Sequence, residues 1–270
     1  MSDPRPLEAL DQQQILSGIA AAACDRLRSL SVLGEVDSTN RFLLEGEAFG
    51  GAGVHACVAE TQTAGRGRRG RPWVSPSGAN LYLSVLRTFE AQPESLQGLS
   101  LAVGIAVARA MQSLGVQGIA LKWPNDILLG GDKLGGILLE MSGRSRGPWR
   151  VVTGIGINVH MPGGAGASID QPWTDLSAHG AHPGRNRLAS RVLTEVILAQ
   201  EQFVEEGFEA FRRDWELLDA VRDREVELHD TSNSRRGTAR GVDGSGALLL
   251  EVDGRHERVV SADISLRAVK

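Results

Sequence analysis

The chain has two cysteines, Cys24 and Cys57, far apart and in no C-x-x-C spacing. That argues against a disulfide framework or a cysteine metal site and leaves a reducing, cytoplasmic setting as the expectation. Cys57 lies in the apolar run 54–59 and reads as a small buried residue. Aromatic residues make up 4% of the chain, too few to supply stacking platforms for single-stranded nucleic acid. Net positive charge is missing as well: the formal charge is −4 and the pI about 5.9, whereas a general nucleic-acid binder is usually basic. No apolar run is long enough to span a bilayer, so no membrane partner is expected. The opening MSDPRPLEALDQQQ has acid and no apolar centre, unlike a signal peptide. There is no internal repeat and no low-complexity stretch. Gly-x-x-x-x-Gly-Lys-Ser/Thr is absent, which excludes a Walker-type ATPase.

What is present starts at residue 65. Residues 65–71 read Gly-Arg-Gly-Arg-Arg-Gly-Arg. Guanidinium groups are rarely buried without partners, and each glycine costs roughly 1 kcal/mol in a helix relative to alanine. The segment is therefore expected to be a mobile cationic loop. Its glycines let backbone N–H groups approach an anion, and its arginines offer forked donors for phosphate or carboxylate. A glycine-rich cationic strip orders when an anion neutralises it, so it can act as a lid. On a mildly acidic chain of 270 residues, a local cationic spot suits a small anionic ligand better than a polyanion.

Hydrophobic spacing predicts a helix over 7–30, a short strand over 32–36 and a helix from Thr39 to Glu47. Strands follow at 54–60 and 81–86, then a long helix over 95–114. Residues 119–123 and 127–129 flank Pro124-Asn125-Asp126, where proline interrupts sheet pairing. Gly130-Gly131-Asp132 reads as a hairpin turn between further strands, which continue at 133–141 and 149–159. Residues 187–218 read as two helices broken near Gly207. From Val221 the pattern changes to short alternating strands between Asp-Gly and Gly-Ser-Gly turns, as in a small antiparallel barrel. The expected architecture is α+β: a mixed central β-sheet with helices on one face, then a small β-barrel. The expected organisation is an N-terminal helical extension over 1–30, a large unit over 31–219 and the small unit over 220–270.

Four other segments are polar or glycine-rich where a sheet would prefer apolar residues. They are Ser38-Thr39-Asn40, Lys122-Trp123-Pro124-Asn125-Asp126, Lys133-Leu134-Gly135-Gly136 and Gly154-Ile155-Gly156-Ile157-Asn158. Ser38 also suits a helix N-cap, Asp126 a turn, and Lys133 an exposed edge. Trp73 can be core or an aromatic platform beside the arginine loop. Together the segments supply cations, one carboxylate and glycine floors. No Ser/His/Asp or Cys/His set stands out, and all six histidines lie outside the segments. Such a site would neutralise and position anions, as in phosphoryl or nucleotidyl transfer.

GRGRRGRPWVSPSGANLYLSVL (65–86), KWPNDILL (122–129), KLGGILLE (133–140) and GIGINV (154–159), with DSTN (37–40) before them, closely resemble the bacterial biotin protein ligases. The resemblance runs over roughly residues 32–270 and rests on the order and spacing of five motifs. It implies a fold similar to class II aminoacyl-tRNA synthetases with an SH3-like β-barrel after it. It also implies a two-step reaction: biotin and ATP with Mg2+ form biotinoyl-5′-AMP, and the acyl group passes to a lysine on the biotin carboxyl carrier domain of acetyl-CoA carboxylase or a related carboxylase. Carried over by position, Ser38, Thr39, Asn40 and Gln62 should hold biotin. Gly65, Arg66, Gly67 and Arg68 should fold over biotin and the adenylate, with Arg69 and Arg71 on phosphate. Lys133 should meet the carboxylate and the α-phosphate, and Gly136, Gly154 and Gly156 should form the floor. Trp73 should cover adenine with Asn158 nearby. Asn125 and Asp126 should help place magnesium or the acceptor amine, and Asp126 could take its proton.

Some of these ligases carry an N-terminal winged helix and repress transcription. Only 37 residues precede Ser38, fewer than a domain usually needs, so the expectation is a monofunctional ligase, monomer or weak homodimer, that does not bind DNA. The rivals are a lipoate–protein ligase, which shares the fold, a biotin-responsive regulator, and a nonspecific RNA binder using the Arg/Gly loop.

Overall fold

The computed structural model describes residues 8–46, 49, 52–90, 93–143, 148–229, 234–260 and 265–268. Seven strands form the first sheet: β1 (Leu27–Val36), β2 (Val54–Gln62), β3 (Leu81–Phe89), β4 (Ile119–Lys122), β5 (Asp126–Leu129), β6 (Asp132–Gly143) and β7 (Trp149–Ile157). Their order is β1-β2-β3-β7-β6-β5-β4. β1 runs parallel to β2, and every other neighbouring pair is antiparallel, so the sheet is mixed.

Alternation along the strands separates two faces. On β2, Ala56 and Val58 join the main core, while Cys57 between them joins a smaller cluster with Leu43, Leu86 and Val152. The main core lies under α4 (Leu99–Ser113) and α5 (Arg185–Glu206), with α6 (Arg212–Leu218) beyond them. α4 is apolar on nearly every side because the sheet lies on one flank and α5 on the other. α5 ends at Gly207, whose φ of +70° a residue with a Cβ rarely adopts, and the chain restarts as α6. The short α3 (Thr39–Glu45) packs on the opposite face through Leu43. Burial pushes the Cys57 thiol up to about 12, in keeping with a packing role.

The expected helical extension over 1–30 is corrected. The described part forms two short helices, α1 (Gln12–Ser17) and α2 (Ala21–Cys24), and residues 27–30 already belong to β1. Parallel pairing with β2 recruits those residues into the sheet, where ladder hydrogen bonds outweigh helical spacing. The helices are tied down. Ile15 and Ala23 are fully buried, Asp11 N donates to Asn186 Oδ1 at 2.8 Å, and Ala20 N donates to Thr194 Oγ1 at 3.2 Å. Arg185, 2% exposed, pairs with Glu60 at 2.7 Å and donates to the Glu8 carbonyl.

The second sheet is antiparallel, with β8 (Glu225–His229), β9 (Ser234–Val242), β10 (Leu248–Val252), β11 (Arg255–Val259) and β12 (Ser265–Ala268) in the order β11-β10-β9-β8-β12. This is the small antiparallel β-unit expected after the first sheet, and among the described residues no pairing joins β11 to β12. Asp253 and Gly254, both at positive φ, make the tight turn between β10 and β11. Trp123 Nε1 donates to the Gly246 carbonyl at 3.2 Å, and Ala220 N donates to Leu121 O at 2.8 Å, joining the two sheets.

Asp243 organises the β9–β10 turn. Its carboxylate accepts from Ser245 N at 2.9 Å, Ala247 N at 3.0 Å, Ser245 Oγ at 2.7 Å and Arg258 Nε at 2.5 Å. Partial burial pushes this carboxyl up, but the Ser245 and Arg258 hydrogen bonds outweigh it and hold it at about 2. A depressed folded-state pKa contributes stability above the ordinary carboxylate range and loses it as pH falls toward 2. Asp243→Asn is expected to cost about 1–2 kcal/mol at pH 7, with the gap closing as pH approaches 2. Urea melts of both proteins across pH check this.

Candidate active site

The site lies on the sheet face that carries α3. Along β7, Val151, Ile155 and Ile157 enter the main core, so Val152, Gly154 and Gly156 face the other way. The row loses bulk in that direction. Val152 packs against Leu43, but a Cβ on Gly154 would lie 2.4 Å from Asn40 Oδ1, and one on Gly156 would lie 2.6 Å from the Trp73 ring. Gly136 pairs with Gly156 across β6 and β7, and a Cβ on it would lie 3.5 Å from Lys133 Cε and 3.6 Å from Trp73 Cζ3. Glycine here admits a polar side chain and an indole onto the sheet surface.

One end is a polar pocket. Ser38 caps α3, accepting weakly from Arg41 N at 3.5 Å, and thereby places Thr39 and Asn40 at the helix start. Gln62 Oε1 accepts from Thr39 N at 2.9 Å and from Thr39 Oγ1 at 3.1 Å. Asn40, 4% exposed, donates to Glu140 Oε2 at 2.8 Å. Ser84 Oγ lies 2.6 Å from Asn40 Oδ1 and 2.7 Å from Thr39 Oγ1.

The other end is a charged cluster. Asp126 Oδ1 pairs with Lys133 Nζ at 2.6 Å, and Oδ2 pairs with Lys122 Nζ at 2.8 Å. Burial pushes the Asp126 carboxyl up, yet Lys133 and Lys122 outweigh it and hold it below the usual range. Lys122 and Asp126 are cross-strand partners on β4 and β5. The Lys133 backbone is clamped by the strap at 172–174: Lys133 N donates to Pro172 O at 3.2 Å, and Lys133 O accepts from Thr174 N at 2.9 Å. Lys133 Nζ stands 5.7 Å from the centroid of the Trp73 ring, within cation–π reach. Trp73 Nε1 is buried and has no hydrogen-bond partner.

The arginine loop bridges both ends. It folds back on itself, with Gly67 N donating to Arg71 O at 2.8 Å and Trp73 N to Gly65 O at 2.9 Å. Arg69 takes a left-handed φ of 61°. Arg66 reaches Glu140 at 3.5 Å on the pocket side, and Arg68 donates to Asn125 Oδ1 at 3.4 Å on the charged side. Arg69 points outward to the His229 carbonyl at 3.2 Å, and Arg71 is exposed. Asn158 is used internally, its amide donating to Thr174 O at 3.0 Å, and Asn125 donates to Ile137 O at 2.9 Å.

The structure thus gathers Ser38, Thr39, Asn40, Gln62, Arg66, Arg68, Trp73, Asp126, Lys133 and the three glycines on one surface. It adds Ser84 and Glu140, which sequence reasoning missed, and Lys122, which the sequence placed in a candidate segment without a role of its own. Each carried a signal: Ser84 interrupts the apolar run LYLSVL, Glu140 has the parity of Gly136, and Lys122 lies four residues before Asp126. No group of three or more His, Cys, Asp or Glu able to hold a metal occurs among the described residues.

Fixed cations, a glycine floor and a cluster of polar side chains on one surface suit the binding of an anionic ligand. Residues 33–158 match the biotin/lipoate A/B protein ligase family, and residues 223–267 match the biotin protein ligase C-terminal domain. The chain is 40% identical over 269 residues to the bifunctional ligase/repressor BirA of Escherichia coli, covering 99% of this chain and 81% of that protein. It is 39% identical over 246 residues to the biotin–[acetyl-CoA-carboxylase] ligase of Mycobacterium tuberculosis, covering 88% of each. The biotin protein ligase from Aquifex aeolicus, solved in complex with biotin and ATP, superposes with a TM-score of 0.76 at 30% identity, over 90% of this chain and all of that one. The chain belongs to the biotin protein ligases, enzymes that form an amide bond.

Ser84 is fully buried and touches two pocket residues. Ser84→Ala leaves the Asn40 carbonyl short of a donor and is expected to cost about 1–3 kcal/mol of stability, read from urea unfolding.

Proposed function

We propose that this ligase activates biotin as biotinoyl-5′-AMP and transfers it to one lysine of a biotin carboxyl carrier domain. In the first step a biotin carboxylate oxygen bonds to the α-phosphorus of ATP, and the bond to pyrophosphate breaks. Two anions must meet, and preorganised cations lower that barrier. The observation that carries this reading is the position of Lys133, paired with Asp126 and lying beside Trp73 on the glycine floor that also carries Asn40.

Biotin's ureido ring suits the pocket of Ser38, Thr39, Asn40 and Gln62, which is dense in donors and acceptors. Trp73, lying on the Gly156 floor beside Lys133, offers its ring face as a cover for adenine. Arg66 faces the polar end of the site and Arg68 the charged end, and they reach toward the acyl and phosphate groups. Arg71 is exposed at the end of the loop, and Arg69 ties the loop to the His229 carbonyl. Mg2+ arrives on the ATP phosphates as part of the substrate. Both Asp126 oxygens are engaged by lysines and Asn125 Oδ1 by Arg68, so these residues offer little to a resident ion. The same commitment makes Asp126 a counter-ion for Lys133 and a poor base for the acceptor lysine. The names of relatives that act on acetyl-CoA carboxylase support a carrier domain of such a carboxylase as the partner.

Incubation with ATP, magnesium, biotin and a carrier domain, read by streptavidin blot, should give a signal that vanishes when any one component is omitted. A folded protein silent in the full mixture, or a signal that excess lipoate suppresses, would sink the assignment. The floor offers a finer test. Gly154→Ala displaces Asn40 and should weaken biotin binding about tenfold or more. Gly156→Ala displaces Trp73 and should instead raise the KM for ATP, each a loss of about 1.4 kcal/mol or more. Calorimetry with biotin and pyrophosphate exchange separate the two.

A further inference from the structure

The chain contains three lysines against twenty-six arginines. The two internal ones, Lys122 and Lys133, converge on the same carboxylate, one on each Asp126 oxygen, at 2.8 and 2.6 Å. The third, Lys270, is the last residue and lies outside the described residues. Both internal side chains are mostly buried, 20% and 17% exposed, and Asp126 is 12% exposed.

That placement carries a hazard if, as proposed above, an acyl-adenylate is made here. An acyl-adenylate acylates amines. A neutral ε-amine attacks the acyl carbon, a C–N bond forms, the C–O bond to phosphate breaks, AMP leaves with the electron pair and the amine sheds its proton to solvent. Burial and a like-charged neighbour both favour the neutral, nucleophilic form of lysine. Lys122 and Lys133 share one carboxylate, which holds both amines in ion pairs.

We propose that Asp126 guards the enzyme against acylating itself, by ion-pairing the only two internal amines beside the activated acyl group. When Lys133 turns to a phosphate it remains paired with an anion, and Asp126 keeps Lys122. The strap that clamps the Lys133 backbone restricts motion to the side chain, so Lys133 returns to the same partner.

The test supplies chemically synthesised biotinoyl-5′-AMP to the full-length wild type and to Asp126→Asn, so labelling does not depend on either protein making it. Peptide mass spectrometry then measures biotin on Lys122 and Lys133 relative to Lys270. In the wild type the internal lysines should be labelled at least about tenfold less than Lys270, and Asp126→Asn, which removes the charge paired with both amines, should raise that ratio about tenfold or more. A melting curve establishes that the variant is folded, Asp126→Ser is the second variant if it is not, and urea-unfolded wild type sets the unprotected ceiling. A folded variant with unchanged low labelling would show that burial alone protects, and internal lysines labelled as readily as Lys270 in the wild type would show no protection. Either result overturns the proposal. Failure of the ligase reading would appear elsewhere, as wild type without pyrophosphate exchange or carrier labelling.

Discussion

Close approach to one face of β7 is the constraint on which the site depends. A strand buried on both faces normally carries bulk on both. Here Val151, Ile155 and Ile157 fill the main core, while the opposite face steps from Val152 to Gly154 and Gly156. Valine is large enough to pack Leu43 and seat α3. The glycines then leave room for the Asn40 amide and the Trp73 indole to lie directly on the backbone. The strand thus makes a core on one side and a bare glycine floor on the other, and period-two alternation keeps them separate.

The charged end follows from a second constraint, that a buried carboxylate must be paired. Asp126 is met by two lysines held by different elements, one by the β4–β5 ladder and one by β6 with its strap. With two cations to one anion, the cluster keeps a surplus positive charge where an anionic substrate would dock. The polar end has the complementary property. Its hydroxyls and amides already satisfy one another through Ser84, Gln62 and Glu140, so the pocket is preorganised. The loop at 65–71 touches both ends, which gives a ligand spanning them a single cover.

Local signals carried much of the fold. The break at Gly207, the Asp253-Gly254 turn and the strands from β2 to β7 all follow from spacing and turn chemistry. Helical spacing misled at residues 27–30, because pairing with β2 is a long-range contact invisible in a local window. The loop at 65–71 reads as mobile from its glycines and arginines, yet its backbone closes on itself through Gly67–Arg71 and Gly65–Trp73 hydrogen bonds. Among site residues, arginines and glycines were conspicuous. Ser84 and Glu140 were not, because one polar residue in an apolar strand has many structural explanations until its neighbours across the sheet are known.

The sequence by itself determined the kinds of group available: guanidinium and ammonium cations, one carboxylate in a turn, glycines at alternate strand positions, and a polar triplet at a helix start. Those are properties of residue type and short spacing, and they sufficed to suggest the family. Tertiary structure alone decided which groups meet. It placed Lys122 opposite Lys133 on one carboxylate, set Ser84 against Asn40 from 44 residues away in the chain, turned Arg69 outward while Arg66 and Arg68 faced the two ends, and committed Asn158 to the strap. Those outcomes depend on strand order, register and which face each side chain takes. They are fixed by pairing between distant segments, where a shift of one residue would send every side chain to the other side of the sheet.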